Sequence, residues 1–215
     1  RLPECILLCC EPDLVGGISE KNAGLLQREL ENDYAALLLG PGMGNTKGTG
    51  ALVRILVSGA DCTVILDADA LNAVSADEKL PAPLPGRRIV ITPHPGEMAR
   101  LCGTTVQAVL DAPVELAQQL AADMNACVLL KGATTVIAHG EDVAMNVTGC
   151  DGMGTGGCGD VLTGTIAALL AQGMSVWDAA RAGAYYHGRA GEAAQARLGA
   201  RGVTAWDVCE ALRIE

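Results

Sequence analysis

Six of the eleven residues from Gly149 to Gly159 are glycine, and the chain then runs directly into an apolar repeat at Leu162, Ile166, Leu169 and Leu170. That repeat is the buried face of a helix, and Gly173 stands where a C-terminal cap belongs. Glycine removes the Cβ atoms that keep ligands away from the backbone and permits positive φ. The first turn of a helix offers unpaired N–H groups and a partial positive charge, so a glycine strap feeding into one makes a seat for phosphate. Asp160 sits at the junction. A carboxylate beside an anion seat repels phosphate unless it has a task, such as taking a proton; the structural alternative is that it caps the helix.

A chain of 215 residues with 50% hydrophobic content is long enough for one substantial core, and no linker, internal repeat or charge run divides it. It reads as a single domain over 1–215. No apolar stretch has the length of a membrane span, and Cys5–Cys10 is too short for a signal-peptide core. A net charge of -10 argues against a nucleic-acid surface but leaves room for one nucleotide held by local amides and a lysine. The nine cysteines form no C-x-x-C pair and no zinc spacing. They read as reduced, small apolar residues of a cytoplasmic protein.

Apolar runs predict buried strands at Cys5–Cys10, Tyr34–Leu39, Thr63–Leu66, Arg88–Ile91 and Ala126–Leu130, then a pair at Thr135–Ala138 and Val143–Val147 around Gly140. Helical patterns fall between them at Ser19–Leu30, Thr46–Ser58, Ala70–Val74, Gly96–Cys102 and Pro113–Asn125. Three more follow the glycine loop at Val161–Gln172, Val176–Leu198 and Thr204–Arg213. Strands separated by helices predict a mostly parallel sheet covered on both faces. Pro81–Gly86 reads as a stiff surface loop. Gly183, His187 and Gly191, four apart, predict a strip along which another helix packs closely.

Open parallel sheets gather ligands at the carboxyl ends of their strands. Here those ends are Gly40-Pro41-Gly42-Met43-Gly44, Asp67-Ala68-Asp69, Thr92-Pro93-His94-Pro95-Gly96-Glu97 and Lys131-Gly132-Ala133-Thr134-Thr135. Each has an ordinary reading: a tight turn, a cap, a rigid loop histidine, an exposed glutamate, a surface lysine. Together with the glycine loop they make five such segments converging on one rim, which chance would scatter.

In order, these segments resemble the signature motifs of the ADP- or ATP-dependent NAD(P)H-hydrate dehydratases, closing with Gly152–Leu162; Ala184–Ala194 and Thr204–Val208 are also similar to that family. The resemblance implies a ribokinase-like three-layer α/β/α sandwich. It implies ADP- or ATP-dependent dehydration of hydrated NADH or NADPH, with the C6 hydroxyl phosphorylated and phosphate then eliminated. Asp160 would be the catalytic base. Gly42, Gly44, His94 and Asp160 would contact the substrate, and Lys131, Gly132, Ala133, Thr134, Thr135, Gly156, Gly157 and Gly159 the nucleotide. Glu97, Asp67 and Asp69 would organise Mg²⁺ through water, as suits a hard cation. A homotetramer and an NAD(P)H-hydrate epimerase domain or partner are further implications. The chain departs from the family at Cys150 and Asp151, where Asn and Pro are common, and at its start, where nothing matches the family's first glycine-rich strand and helix. It is therefore read as N-terminally shortened, with an exposed sheet edge.

Three other readings remain beside this one. A small-molecule alcohol kinase of the same fold would use the same Asp and loop. An inactive nucleotide-binding module would use the loop alone. A dinucleotide oxidoreductase is suggested by Gly40-x-Gly42-x-Gly44 after a strand, although that spacing is G-x-G-x-G rather than G-x-G-x-x-G.

Overall fold

The computed structural model describes residues 4–76 and 88–214. Six strands form one sheet in chain order: β1 (Ala36–Leu39), β2 (Thr63–Leu66), β3 (Ile89–Ile91), β4 (Cys127–Leu130), β5 (Thr135–His139) and β6 (Asp142–Asn146). The first four are parallel, and the last two form an antiparallel hairpin on β4. All four carboxyl ends of the parallel strands thus open on one rim. Helices α1 (Ala23–Glu29), α2 (Lys47–Gly59), α3 (Ala68–Ala76), α4 (Pro95–Leu101), α5 (Val106–Asp111) and α6 (Pro113–Met124) precede β4, and α7 (Cys158–Ala171), α8 (Val176–Leu198) and α9 (Ala205–Ala211) follow β6.

Side-chain alternation along the strands generates the layers. Val64 and Leu66 of β2, Ile89 and Ile91 of β3, and Val128 and Leu130 of β4 bury against α2 through α6. Ile65, Val90, Cys127 and Leu129 point the other way and bury against α7 and α8. The result is a three-layer α/β/α sandwich. With no Phe in the chain, close approach replaces bulk: a Cβ at Gly183 of α8 would lie 2.6 Å from Ile166 Cγ1 of α7. The strip of small residues on α8 is therefore a packing surface. Burial pushes the Cys127 thiol up to about 12, as expected of a cysteine that serves as a small hydrophobe.

Four points of the sequence reading need correction or completion. Cys5–Cys10 is not a strand: it has no ladder partner among the described residues, and Ile6 and Leu7 are 89% and 87% exposed. Apolar composition favours burial, but a strand also needs a neighbour to take its backbone hydrogen bonds. The outer edge of β1 carries no partner strand among the described residues. Helix α5 was not anticipated, because six residues between Thr105 and Ala112 are too few to establish a helical period; Thr105 caps it by accepting from the Ala108 amide at 3.1 Å. Pro81–Gly86 lies outside the described residues.

The α7–α8 contact gives a direct test. Gly183→Leu should destabilise the protein by about 1–3 kcal/mol through overpacking, measured by urea denaturation at unchanged m-value.

Candidate active site

The rim is built around Asp67, immediately after β2. Its backbone N–H donates to Leu39 O at 3.1 Å, and its carbonyl accepts from Ala70 at 3.0 Å as α3 begins. β1 can turn away here only because residue 40 is glycine: at φ +127°, a Cβ on Gly40 would stand 1.7 Å from the Asp67 carbonyl oxygen. The Asp67 side chain is 2% exposed, and Lys131, from the end of β4, donates to its Oδ1 at 2.6 Å. Lys131 is held from its backbone as well, donating to Pro93 O at 2.8 Å. A buried carboxylate requires such a partner.

Beside this pair stands Glu97. It is 5% exposed, contrary to the exposed position its loop context suggests, because it closes a capping box at the start of α4. The His94 amide donates to Glu97 Oε2 at 2.8 Å, while Gly96 and Glu97 donate to His94 Nδ1 at 3.0 and 3.4 Å. Using Nδ1 as acceptor puts the proton of a neutral ring on Nε2, which lies 3.3 Å from Glu97 Oε1. Glu97 Oε2 is also 3.9 Å from Lys131 Nζ. The His94 side chain remains half exposed on the rim.

The glycine loop reaches the same place from the opposite face of the sheet. Gly157 takes φ +89° as the N-cap of α7, so Asp160 is not the cap but sits in the first turn, exposed to solvent. Among the described residues the amides of Gly156, Gly157, Gly159 and Asp160 donate to no protein acceptor. Open space adjoins Gly154 and Gly156 where a side chain would be. A Cβ on Gly159 would lie 3.4 Å from Asp67 Oδ2 and 3.6 Å from Lys131 Nζ, which brings the start of α7 onto the ion pair. Unpaired amides, a helix N-terminus and a lysine ammonium therefore face one volume, with a free carboxylate at its edge.

Of the residues named from sequence, Asp67, Glu97, His94, Lys131, Gly159 and Asp160 surround this volume. Gly132, Ala133 and Thr134 form its exposed margin between β4 and β5, and Thr135 opens β5. Gly42 and Gly44, at φ +68° and +82°, line the neighbouring β1 turn, where the Gly44 amide donates to Asp69 Oδ2 at 2.8 Å. The carboxylates do not fit a directly ligated Mg²⁺. Asp67 is paired with Lys131, Asp69 with Gly44 and Glu97 with His94, and no cluster of three metal-ligating side chains occurs among the described residues.

Sequence reasoning missed the residues that hold the loop. Asn146 and Thr148 donate to the carbonyls of Ala184 and Tyr185 on α8, at 3.4 and 3.1 Å. The amides of Gly149 and Gly152 donate to Glu192 Oε1 and Gln195 Oε1, both at 3.0 Å. Partners 43 residues apart leave no local signal. Cys158, at the end of this loop, is not poised to react: it is buried, and desolvation followed by the nearby Cys150 and Asp160 raises its thiol above the ordinary range.

The chain is similar in sequence and in fold to known proteins. The sequence profile of the NAD(P)H-hydrate dehydratases matches residues 7–213. The chain is 42% identical over 206 residues to the bifunctional NAD(P)H-hydrate repair enzyme Nnr of Moorella thermoacetica, covering 94% of this chain and 38% of that protein. It is 40% identical over 185 residues to the ADP-dependent (S)-NAD(P)H-hydrate dehydratase of Neisseria meningitidis serogroup B, covering 84% and 62%. It therefore spans less than two thirds of either relative. Among solved structures, the ADP/ATP-dependent NAD(P)H-hydrate dehydratase from Bacillus subtilis, co-crystallized with ATP/Mg²⁺ and soaked with CoA, superposes with TM-score 0.74 at 33% identity, covering 84% of this chain and 65% of that one. A ribokinase-like superfamily protein from Enterococcus faecalis V583 superposes with TM-score 0.72 at 25% identity, over 91% and 66%.

His187, buried on α8, carries a pH signature. Desolvation lowers it from 6.5 to about 4, hydrogen bonding to the Cys158 backbone opposing part of the shift, and its Nε2 is buried without a partner among the described residues. The folded state thus refuses a proton that the unfolded chain accepts between pH 6.5 and about 4. Stability from this group is complete above pH 6.5 and falls with pH through that window, by about 3 kcal/mol in all. Denaturant titrations from pH 7 to 4 should show this slope, and His187→Gln should flatten it.

Proposed function

This chain belongs to the NAD(P)H-hydrate dehydratase family, and from that premise we propose that it carries the ADP- or ATP-dependent dehydration of (6S)-hydrated NADH and NADPH back to NADH and NADPH. The observation that supports this most is the exposed Asp160 carboxylate beside the unpaired amides of Gly156, Gly157 and Gly159, with Lys131 at the same volume. The relative from Neisseria meningitidis is named for the ADP-dependent reaction.

Hydroxide is a poor leaving group and phosphate a good one, which gives a kinase-like seat a reason to catalyse a dehydration. Asp160 takes the proton of the C6 hydroxyl as that oxygen attacks the terminal phosphorus of the nucleotide. The bond from phosphorus to the bridging oxygen breaks, and the shortened nucleotide leaves with the electron pair. The amides of Gly156, Gly157 and Gly159 hold charge developing on the transferring phosphoryl group. The ring nitrogen then pushes out the C6 phosphate, and loss of a proton from the neighbouring carbon restores the double bond. Lys131 to Thr135 take the nucleotide; Gly42, Gly44 and His94 take the hydrated ring and its attached groups.

Mg²⁺ is proposed only as a companion of the nucleotide phosphates, reached by Glu97, Asp67 and Asp69 through water. A cytoplasmic homotetramer completes the proposal, together with an epimerase activity in the same protein or a partner, a reading supported by the bifunctional relative.

The test is recovery of dihydronicotinamide absorbance from hydrated NADH, run with ADP and with ATP. Turnover with either nucleotide is expected. Asp160→Asn should keep the melting temperature and nucleotide affinity while losing about 10²–10⁴-fold in kcat. Wild-type silence with both nucleotides rejects the activity, and full turnover in the variant removes Asp160 from its role.

A further inference from the structure

The glycine loop is adapted to hold phosphate because it lacks side chains, and for the same reason it cannot fix its own shape. Glycine has the largest conformational freedom of any residue, so amides meant to converge on an anion must be aligned by something outside the loop. In this protein the outside support is one face of α8. Its glycines let it press against the loop: a Cβ at Gly188 would lie 2.1 Å from Thr148 Oγ1, and one at Gly191 would lie 2.1 Å from Met153 Sδ. Two side chains of α8 reach the loop backbone, one at Gly149 and one at Gly152 in the 3-10 turn Asp151–Gly154. Glu192 Oε1 accepts the Gly149 amide, and Gln195 Oε1 accepts the Gly152 amide, at 3.0 Å each. Gly149 holds φ +124°, a conformation that only glycine adopts freely, and the Glu192 bond meets the chain at that residue. The far oxygen of Glu192 pairs with Arg189 one turn back, which fixes the carboxylate in place.

We infer that Glu192 and Gln195 are positioning residues for phosphoryl transfer: by accepting the Gly149 and Gly152 amides they orient the glycine loop so that the amides further along, at Gly156, Gly157 and Gly159, converge on the nucleotide phosphates. This rests on the reading of that loop as the phosphate seat and deepens it. Neither side chain touches substrate. Their effect is carried through the backbone, from a helix that stays put to a loop that would otherwise sample many shapes. A misplacement of about 1 Å in such a seat is enough to lose about a hundredfold in rate.

The pair also separates charge from hydrogen bonding. Glu192→Gln keeps an acceptor oxygen for Gly149 and abolishes only the bridge to Arg189, whereas Glu192→Ala removes the acceptor. Gln195→Ala does the same for Gly152.

The experiment uses the full-length protein with ADP as the probe, and measures ADP affinity by calorimetry, kcat and KM in the hydrate assay, and amide hydrogen exchange over 146–160. Glu192→Ala and Gln195→Ala should remain folded, speed loop exchange at least tenfold, weaken ADP about tenfold and lower kcat by about ten- to a hundredfold. Glu192→Gln should stay within about threefold of wild type in all of these. If both alanine variants exchange and bind ADP like wild type, the inference is overturned. It is likewise overturned if they lose melting temperature while the folded protein keeps its ADP affinity and loop protection, since that describes a merely structural contact. Exchange and ADP binding decide the matter even if the hydrate assay is silent in the wild type, an outcome that would instead reject the proposed dehydratase activity.

Discussion

The Asp67–Lys131 ion pair is the constraint that the rest of the rim obeys. A carboxylate with 2% exposure has given up its water, and at the end of β2 its partner is the Lys131 side chain 2.6 Å away. Pairs of this kind add little net stability compared with an apolar replacement, but removing one partner leaves an uncompensated charge and costs about 3–5 kcal/mol. The chain around the pair is shaped to protect it. Gly40 is needed so that β1 can pass the Asp67 carbonyl, Pro93 O fixes the Lys131 backbone, and α7 begins with Gly159 beside both side chains. Three segments far apart in sequence therefore share one electrostatic centre, and the site forms where they meet.

On the proposed reading of the loop as a phosphate seat, the same pair decides how an acidic protein can attract a phosphate. The net charge is -10, and among the described residues the lysine facing the seat, Lys131, is already engaged by Asp67, with Glu97 3.9 Å away. With Asp67, Glu97 and Asp160 set against Lys131, formal charge at the seat is net negative before any ligand arrives. Attraction must come from oriented dipoles, which act at short range and do not depend on the overall field: the open amides of Gly156, Gly157, Gly159 and Asp160, and the N-terminal end of α7. Dipoles work only when aligned, so loop geometry matters more here than in a site lined with several free cations. Lys131, tethered rather than free, serves to localise charge instead of adding it.

What could be read in the sequence follows from what is local. The parallel strands β1 to β4 announced themselves through apolar runs ending in glycine or charge, and the glycine loop through composition. The strand ends assembled on one rim because parallel topology puts them there. The burial of Glu97 was not legible, since it depends on His94 acting as a cap, a residue seldom used so. Helix α5 was too short to show a period. Cys5–Cys10 had the composition of a strand but no partner, and partnership is a property of the sheet rather than of the segment. The α8 contacts to the loop were invisible for a related reason: His187, Glu192 and Gln195 look like ordinary residues of a helix, and only the fold shows which of them turn inward.

That last difference separates two kinds of functional residue. Groups proposed to meet ligand are found at chain positions with unusual backbone demands, and glycine, proline and charge at strand ends record those demands in sequence. Groups that orient the first kind are drawn from regular helices, where the helical period masks their task. Asp160 belongs to both settings: it lies in the first turn of a regular helix, yet its exposure and its lack of a side-chain partner among the described residues follow from the loop before it. With Gly157 in the left-handed conformation as N-cap, the capping position is taken by a residue without a side chain, and the carboxylate three residues on is left free of structural duty. A cap at 157 built from Ser or Asp would have satisfied amides that the seat requires open. The glycine at that position thus leaves those amides and the neighbouring carboxylate available for chemistry.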